Sequence, residues 1–236
     1  MQPIVLVHGG GFAASCWDLV VEHLEGPVLA VDLPGRGNHP APLESVTIAT
    51  AAASVVADVD AAGFDEIVLV GHSLAGCSMP ATIALLGDRV RHAVFVACVV
   101  PEQGKSAFDT LDPDMQTQSD TADDVDGPGI LHSDRARRLF GNDLDEDQFA
   151  WCVERMVPES PGLVTEPVDL SPLEGSQPPR TWIRATRDAI VVPEKQNRFA
   201  KNVGECDVID LDAGHMCMIS KPAELARILS EIAAKA

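Results

Sequence analysis

Short apolar runs rich in Val, Ile and Leu recur along the chain, and helical stretches separate most of them. The runs predict six strands, at residues 4–7, 28–32, 67–70, 93–100, 181–185 and 208–211. The intervening stretches predict helices at residues 15–25, 47–62, 75–86, 194–203 and 222–235. The strands are apolar throughout rather than alternately polar, which is typical of a mainly parallel sheet with helices on both faces. We therefore predict an α/β fold.

Residues 102–179 break this alternation, because they contain no strand-like run. The segment opens with a polar, acidic stretch and continues with two helical stretches, at residues 133–140 and 145–156. Structureless loops longer than about 12 to 15 residues are uncommon in compact domains unless they are lids or linkers. The segment also has too few large apolar residues for its own core. We predict a helical cap at residues 102–179, inserted into a core of residues 1–101 and 180–236.

The composition, 236 residues with 46% hydrophobic and 22% charged, fits one globular domain with an insertion. Acidic residues outnumber basic ones by 36 to 17, and a net charge of -19 would repel nucleic acid and anionic membranes. No apolar run reaches the roughly 18 residues of a membrane span. The six cysteines form no CxxC pair, and the chain opens without a secretory signal. We expect a cytoplasmic protein with reduced thiols.

The stretch "VGHSLAGCSMP", residues 70–80, places a serine where a predicted strand turns into a predicted helix. Gly71-His72-Ser73-Leu74-Ala75 fits a nucleophile elbow, a strained turn that projects the serine hydroxyl above the sheet. The residues two before and two after the serine crowd each other in such a turn, and Gly71 and Ala75 are both small. Ser73 is the candidate nucleophile.

A serine hydroxyl needs a base to take its proton and a carboxylate to orient that base. In this type of fold the order along the chain is serine, acid, histidine. His215 in "LDAGHMCM" follows the last predicted strand and is the candidate base, ahead of His72, His92 and His132. Asp188 in "RATRDAIVVP" follows a strand at the same edge of the sheet and is the candidate acid. Its competitors are Glu102, Asp210 and Asp212.

A tetrahedral intermediate also needs backbone donors aimed at its oxyanion. The N–H of Leu74, next to the nucleophile, is one candidate donor. The glycine-rich "VHGGGF" after the first strand supplies the second, with Gly10 as the first choice and Gly11 as the next. This loop lacks the spacing of a dinucleotide motif and the Lys-Ser/Thr of a P-loop, so we expect no phosphate cofactor there. No cluster has credible zinc spacing.

Five motifs together resemble the α/β-hydrolase family in order along nearly the whole chain: "VHGGGF", "VDLPGRG", "VGHSLAG", "TRDAIVVP" and "DAGHMCMISKPAEL". The ending and the cap look like the branch of plant methylesterases and hydroxynitrile lyases, with their small bacterial relatives. The resemblance implies a cap after the strand that corresponds to the family's sixth. It also implies Ser73, Asp188 and His215 as the catalytic triad, and Gly10 and Leu74 as the oxyanion donors.

Two departures separate this chain from the cyanohydrin-cleaving members. Those members carry threonine where Gly9 stands and lysine directly after the histidine, where this chain has Met216. Lysine favours a departing cyanide anion, whereas methionine offers only an apolar wall. We expect a cofactor-independent serine hydrolase acting on a small, largely apolar ester. The alternatives are a lyase or cyclase with His215 as general base, and a ligand-binding protein with little turnover. We leave homodimer formation open.

Overall fold

The computed structural model describes residues 1–111, 134–175 and 178–236. Six strands form one sheet, in the order β2-β1-β3-β4-β5-β6, and every neighbouring pair is parallel. The strands are β1 (Ile4–Val7), β2 (Val28–Val31), β3 (Ile67–His72), β4 (Val90–Val96), β5 (Arg180–Ala185) and β6 (Asp207–Leu211). The predicted parallel α/β sheet is confirmed, and its carboxyl ends all point to one edge.

Helices cover both faces of the sheet, as the apolar strands predict. The helices that flank the strands are α1 (Asp18–Val21), α2 (Ile48–Ala61), α3 (Met79–Leu86), α7 (Pro193–Asn202), α8 (Cys217–Ser220) and α9 (Pro222–Lys235). Leu69 packs in one buried cluster with residues of α2, α3 and α7, and Val70 packs in the other with residues of α1, α8 and α9. Because successive strand residues point to opposite faces, both faces need apolar residues.

Most predicted elements differ from the observed ones by a few residues at their ends, and two of these differences have a clear physical reason. The helix predicted at residues 15–25 is a 3₁₀ turn, Ala14–Trp17, followed by the short α1, because Gly26 at φ 91° turns the chain toward β2. The strand predicted at residues 93–100 begins earlier, at Val90, and ends at Val96. Ala97 has a left-handed φ of 45°, which takes the following residues out of the sheet plane.

The described part of the segment between β4 and β5 contains three helices, α4 (Asp134–Phe140), α5 (Glu146–Glu154) and α6 (Pro161–Thr165). The helix predicted at residues 145–156 corresponds to α5, whose N-cap Asp145 forms a capping box with Gln148. Ser133 and most of the acidic stretch lie outside the described residues. The short α6 was not predicted. No helix in the described parts of the chain is long and apolar enough to cross a membrane.

Candidate active site

Ser73 lies directly after β3, at the first position of a 3₁₀ turn, and has a left-handed φ of 53°. Such a backbone costs a non-glycine residue roughly 1 to 2 kcal/mol, so its surroundings must hold it. A side chain at Gly71 would overlap Met79 Sδ and approach the Ala75 Cβ to 3.2 Å. The turn therefore has the crowding that the small residues on either side of the serine predict.

The chain directly after β4 packs against this turn and hydrogen-bonds to it. The Val99 N–H donates to the Ser73 carbonyl at 2.8 Å, and the Cys98 thiol donates to the Gly71 carbonyl at 3.1 Å. A Cβ at Gly76 would lie 2.9 Å from the Cys98 Cβ and would also overlap the Val99 carbonyl oxygen. The bend at Ala97 brings this segment beneath the elbow, where it stabilises the strained serine.

Three predicted residues meet at the carboxyl edge of the sheet. His215 Nε2 lies 2.9 Å from Ser73 Oγ, and His215 Nδ1 lies 2.7 Å from Asp188 Oδ2. Both side chains of the His–Asp pair are buried. The Asp188 Oδ1 accepts the backbone N–H groups of Ile190 and Val191 at 2.8 and 2.9 Å, which fixes the carboxylate. Nδ1–H thus donates to the acid, and Nε2 is left to accept the serine proton.

The three competing acids and His92 do not contact the His215 side chain in the described residues. Asp210 pairs with Arg184 on β5, Asp212 pairs with Arg187, and Glu102 is exposed. His92, near the start of β4, hydrogen-bonds Thr181 Oγ1 at 2.9 Å. His132 lies outside the described residues.

The two candidate oxyanion donors are neighbours. A Cβ built on Gly10 would lie 3.0 Å from Leu74 Cδ2, so the glycine loop and the elbow approach closely. In the described residues no acceptor is found for the N–H of either Gly10 or Leu74. The Gly11 N–H, the second choice in the sequence, already donates to Glu159 Oε2 at 2.9 Å. Gly10 and Leu74 therefore stay the candidate donors, and the Gly11 N–H is already engaged.

A hydroxyl, an imidazole and a carboxylate in hydrogen-bonded series, beside two unused amides, form an arrangement suited to acyl transfer. A family model described as the alpha/beta hydrolase family matches residues 4–228. The chain belongs to the α/β-hydrolase family.

Relatives in this family include plant esterases. A "Probable esterase PIR7A" of Oryza sativa subsp. indica is 30% identical, covering 98% of this chain and 96% of its own. A "Putative methylesterase 14, chloroplastic" of Arabidopsis thaliana is 24% identical, covering 99% and 72%. A "Norfluorocurarine synthase 2" of a Strychnos species is 29% identical, covering 98% and 95%. The family thus supports esterase-type chemistry, and several relatives carry the name of a synthase.

A solved structure has the same fold. An extracellular α/β-hydrolase from a Paenibacillus species superposes with a TM-score of 0.84 at 22% identity, covering 98% of both chains. That hydrolase is described as sharing structural and functional homology with tobacco salicylic acid binding protein 2. At this identity the likeness to the present chain is one of fold.

Two further histidines, His72 and His8, are buried near this α/β-hydrolase site. His72 Nε2–H donates to the His215 carbonyl at 2.9 Å, and the two rings are 4.7 Å apart. Burial, with the neighbouring His215, holds the pKa of His72 well below its ordinary value. Burial and the nearby Arg36 lower the pKa of His8 to about 4. Both rings are therefore neutral at pH 7, and they support the site without adding charge.

The thiols near the site, Cys77 and Cys217, are buried. Burial raises the pKa of Cys77 to about 12 and raises the pKa of Cys217, so neither offers a thiolate. No group of three or more His, Cys, Asp or Glu side chains among the described residues could hold a metal ion.

Three side chains of the inserted segment hydrogen-bond the backbone of the site loops, and the sequence alone did not single them out. Asn142 Nδ2 donates to the Arg187 carbonyl at 2.7 Å, and Asp143 Oδ2 accepts the Gly214 N–H at 2.6 Å. Glu159 accepts the Gly11 N–H. Each of these side chains contacts a backbone group. A loop can offer a backbone N–H or carbonyl whatever its sequence is, so the loop sequence does not indicate the contact. One acidic side chain among 36 gives no signal by itself.

Proposed function

We propose that this chain is a carboxylic ester hydrolase that uses Ser73, His215 and Asp188 as a catalytic triad. The observation that supports the proposal most is the hydrogen-bonded series from Asp188 through His215 to Ser73, with separations of 2.7 and 2.9 Å. Hydrolase activity on esters is also what the family relatives support.

In the proposed mechanism His215 Nε2 takes the hydroxyl proton as Ser73 Oγ attacks the ester carbonyl carbon. The N–H groups of Gly10 and Leu74 stabilise the negative charge that develops on the carbonyl oxygen. The imidazolium then protonates the departing alkoxide, leaving the acyl group on Ser73. A water molecule, deprotonated by His215, attacks the acyl carbon and releases the acid. Asp188 holds the imidazole orientation throughout and stabilises its charged form.

We propose a small, uncharged and largely apolar ester as the substrate. The nearest cationic side chain to the glycine loop, Arg36, is neutralised by Glu159 in an ion pair of 2.7 Å. Phe140 lies edge-on to the His215 ring at 6.3 Å and also contacts Phe12, so the described wall of the site is aromatic there. Neither feature offers a charge to an anionic substrate. Residues 102–179 are proposed to form the cap over this site.

Cyanohydrin cleavage is disfavoured by Gly9. A Cβ there would lie 2.8 Å from His72 Nδ1 and 2.9 Å from Ser73 Cβ, so the threonine of the cyanohydrin-cleaving members would not fit without movement. Met216 is fully buried in the second apolar cluster and carries no charge to the site. A lyase or cyclase acting on another substrate stays the alternative. We also propose a cytoplasmic location, supported by six unpaired cysteines.

The proposal is tested by a burst and steady-state assay with p-nitrophenyl acetate and butyrate. A fluorophosphonate probe and peptide mapping then locate the reactive serine. We expect turnover and stoichiometric labelling at Ser73, with none at the nearby buried Ser78. Labelling without turnover would favour the lyase or ligand-binding alternatives. Absence of both would contradict the assembled triad.

A further inference from the structure

The Glu159 carboxylate uses both of its oxygens at the interface between the inserted segment and the glycine loop. Oε2 accepts the Gly11 N–H at 2.9 Å and an Arg36 guanidinium N–H at 3.2 Å. Oε1 accepts a second Arg36 N–H at 2.7 Å and the Ser160 N–H at 2.6 Å. The Glu159 side chain is 19% exposed and that of Arg36 only 1%, so water screens the pair weakly.

Hydrogen bonds from outside the glycine loop, residues 10–12, hold both its N–H and its carbonyl groups next to the Arg36–Glu159 pair. The Val157 N–H donates to the Gly11 carbonyl at 2.8 Å, beside the Glu159 contact to the Gly11 N–H. Arg36 Nη1 also donates to the Phe12 carbonyl at 2.7 Å. Two consecutive glycines have no side chains that could fix their backbone, and Gly11 has a φ of 74°. The conformation of the loop therefore depends on these external contacts.

From this geometry we infer that Glu159 is a positioning residue that fixes the Gly10 N–H for the oxyanion. The inference rests on the proposed function, in which Gly10 is an oxyanion donor. A Cβ on Gly10 would lie 3.4 Å from Glu159 Oε2, so the carboxylate lies beside the residue that is proposed to donate to the oxyanion. Without a partner, the Glu159 carboxylate would destabilise the oxyanion by charge repulsion. The two-point contact with Arg36 neutralises the charge of the carboxylate. Glu159 thus supplies an acceptor for the loop, and Arg36 cancels its charge.

The first test compares Glu159→Ala with a matched variant, Asp210→Ala. Asp210 forms the same kind of two-point pair, with Arg184 at 2.7 and 2.8 Å, on the exposed edge of the sheet away from the site. We expect Glu159→Ala to lose about 10- to 100-fold in kcat toward p-nitrophenyl butyrate, with KM changed less than about threefold. The pH midpoint of kcat should stay in place, because the His215–Asp188 pair is untouched. Asp210→Ala should match the wild type.

A second variant covers the case in which the lone Arg36 prevents folding. Arg36→Met with Glu159→Met replaces the ion pair by apolar groups of similar volume, an exchange that proteins often tolerate or gain stability from. It removes the Gly11 acceptor and the Phe12 donor together. We expect a folded protein with a kcat at least about tenfold below the wild type. Amide hydrogen exchange at Gly11 should accelerate in both variants.

A folded Glu159→Ala or double variant with kcat within about twofold of the wild type would overturn the inference. An equal loss in Asp210→Ala would do the same, since the effect would then be general. If the wild-type protein turns over no ester, the proposed function has failed, and the positioning role for an oxyanion falls with it. Exchange at Gly11 would then report only whether Glu159 holds the loop.

Discussion

The loops of the core and the inserted segment contribute to the site in different ways. The core loops carry the proposed reacting groups: Ser73 after β3, Asp188 after β5 and His215 after β6. The inserted segment contributes hydrogen bonds to the backbone of neighbouring loops, through Asn142, Asp143 and Glu159. In the described residues, the core thus supplies the proposed reacting groups and part of their support. The inserted segment adds further hydrogen bonds that hold the loops.

This division sets a scale for the expected effects. Removing a reacting group from the core removes a step of the mechanism, whereas removing a hydrogen bond made by the insertion only loosens a loop. A single hydrogen bond contributes about 0.5 to 1.5 kcal/mol, and leaving a buried partner unsatisfied costs about 1 to 3 kcal/mol. The expected losses of activity therefore decrease from the core outward.

Ser73→Ala should give the largest loss, on the order of 10³-fold or more in kcat/KM for p-nitrophenyl esters. The substitution removes the attacking oxygen and relieves no packing, so far-UV circular dichroism should be unchanged. Steady-state kinetics on the purified variant measures the effect. Full activity in the variant would show that the core serine is not the nucleophile.

Asp188→Asn should lower kcat by about 10³-fold, because the amide no longer fixes the imidazole with Nε2 free to accept a proton. Asp212→Asn is the matched control. This exposed carboxylate, three residues before His215, pairs with Arg187 and not with the imidazole. We expect the control to stay within about twofold of the wild type. An equal loss in both variants would remove the distinction between the acid and its neighbours.

Asp143→Ala should have a smaller effect, a loss of roughly 3- to 10-fold in kcat. The buried Asp143 carboxylate accepts the Gly214 N–H, next to His215, and its removal leaves that donor unsatisfied. The free energy of unfolding should also fall by about 1 to 3 kcal/mol. Glu146→Ala, on the same inserted segment but exposed, is the control and should be neutral. A loss as large as that of Ser73→Ala would contradict the division between the two regions.

The buried neutral His8 predicts a fall in stability at acid pH. The unfolded chain protonates this histidine near pH 6.5 but the folded chain only near pH 4, so the unfolded state binds more protons between these values. The contribution of His8 to the free energy of unfolding should therefore be constant with pH above about 7 and decrease as pH falls toward 4. The contribution of His8 is on the order of 3 kcal/mol.

Urea unfolding at several pH values measures this dependence. His8→Gln keeps an acceptor for the Leu33 N–H, which lies 3.2 Å from His8 Nε2, and should reduce the slope, leaving the part that the buried His72 contributes. The exposed His23→Gln is the control and should leave the slope unchanged. An unchanged slope in His8→Gln would mean that another group, such as His72, carries the pH dependence.

Local sequence determined the parts of the molecule whose geometry follows from neighbouring residues. Apolar runs predicted the strands because a parallel strand buries both of its faces. The small residues around Ser73 predicted a crowded turn, because the residue two before the serine and the residue two after it approach each other in such a turn. The loops at the carboxyl edge followed from strand order, and they carry Asp188 and His215 as expected from their places along the chain.

Tertiary structure alone decided which polar groups meet across long stretches of chain. Glu159 lies 148 residues from Gly11, and Asp143 lies 71 residues from Gly214. The choice of Gly10 over Gly11 as free donor depends on that first contact. The end of β4 also depends on Ala97, whose left-handed backbone is set by the packing beneath the elbow rather than by any residue preference. Contacts to backbone can be made by any suitably placed acceptor, so the sequence of the loop that receives them does not record them.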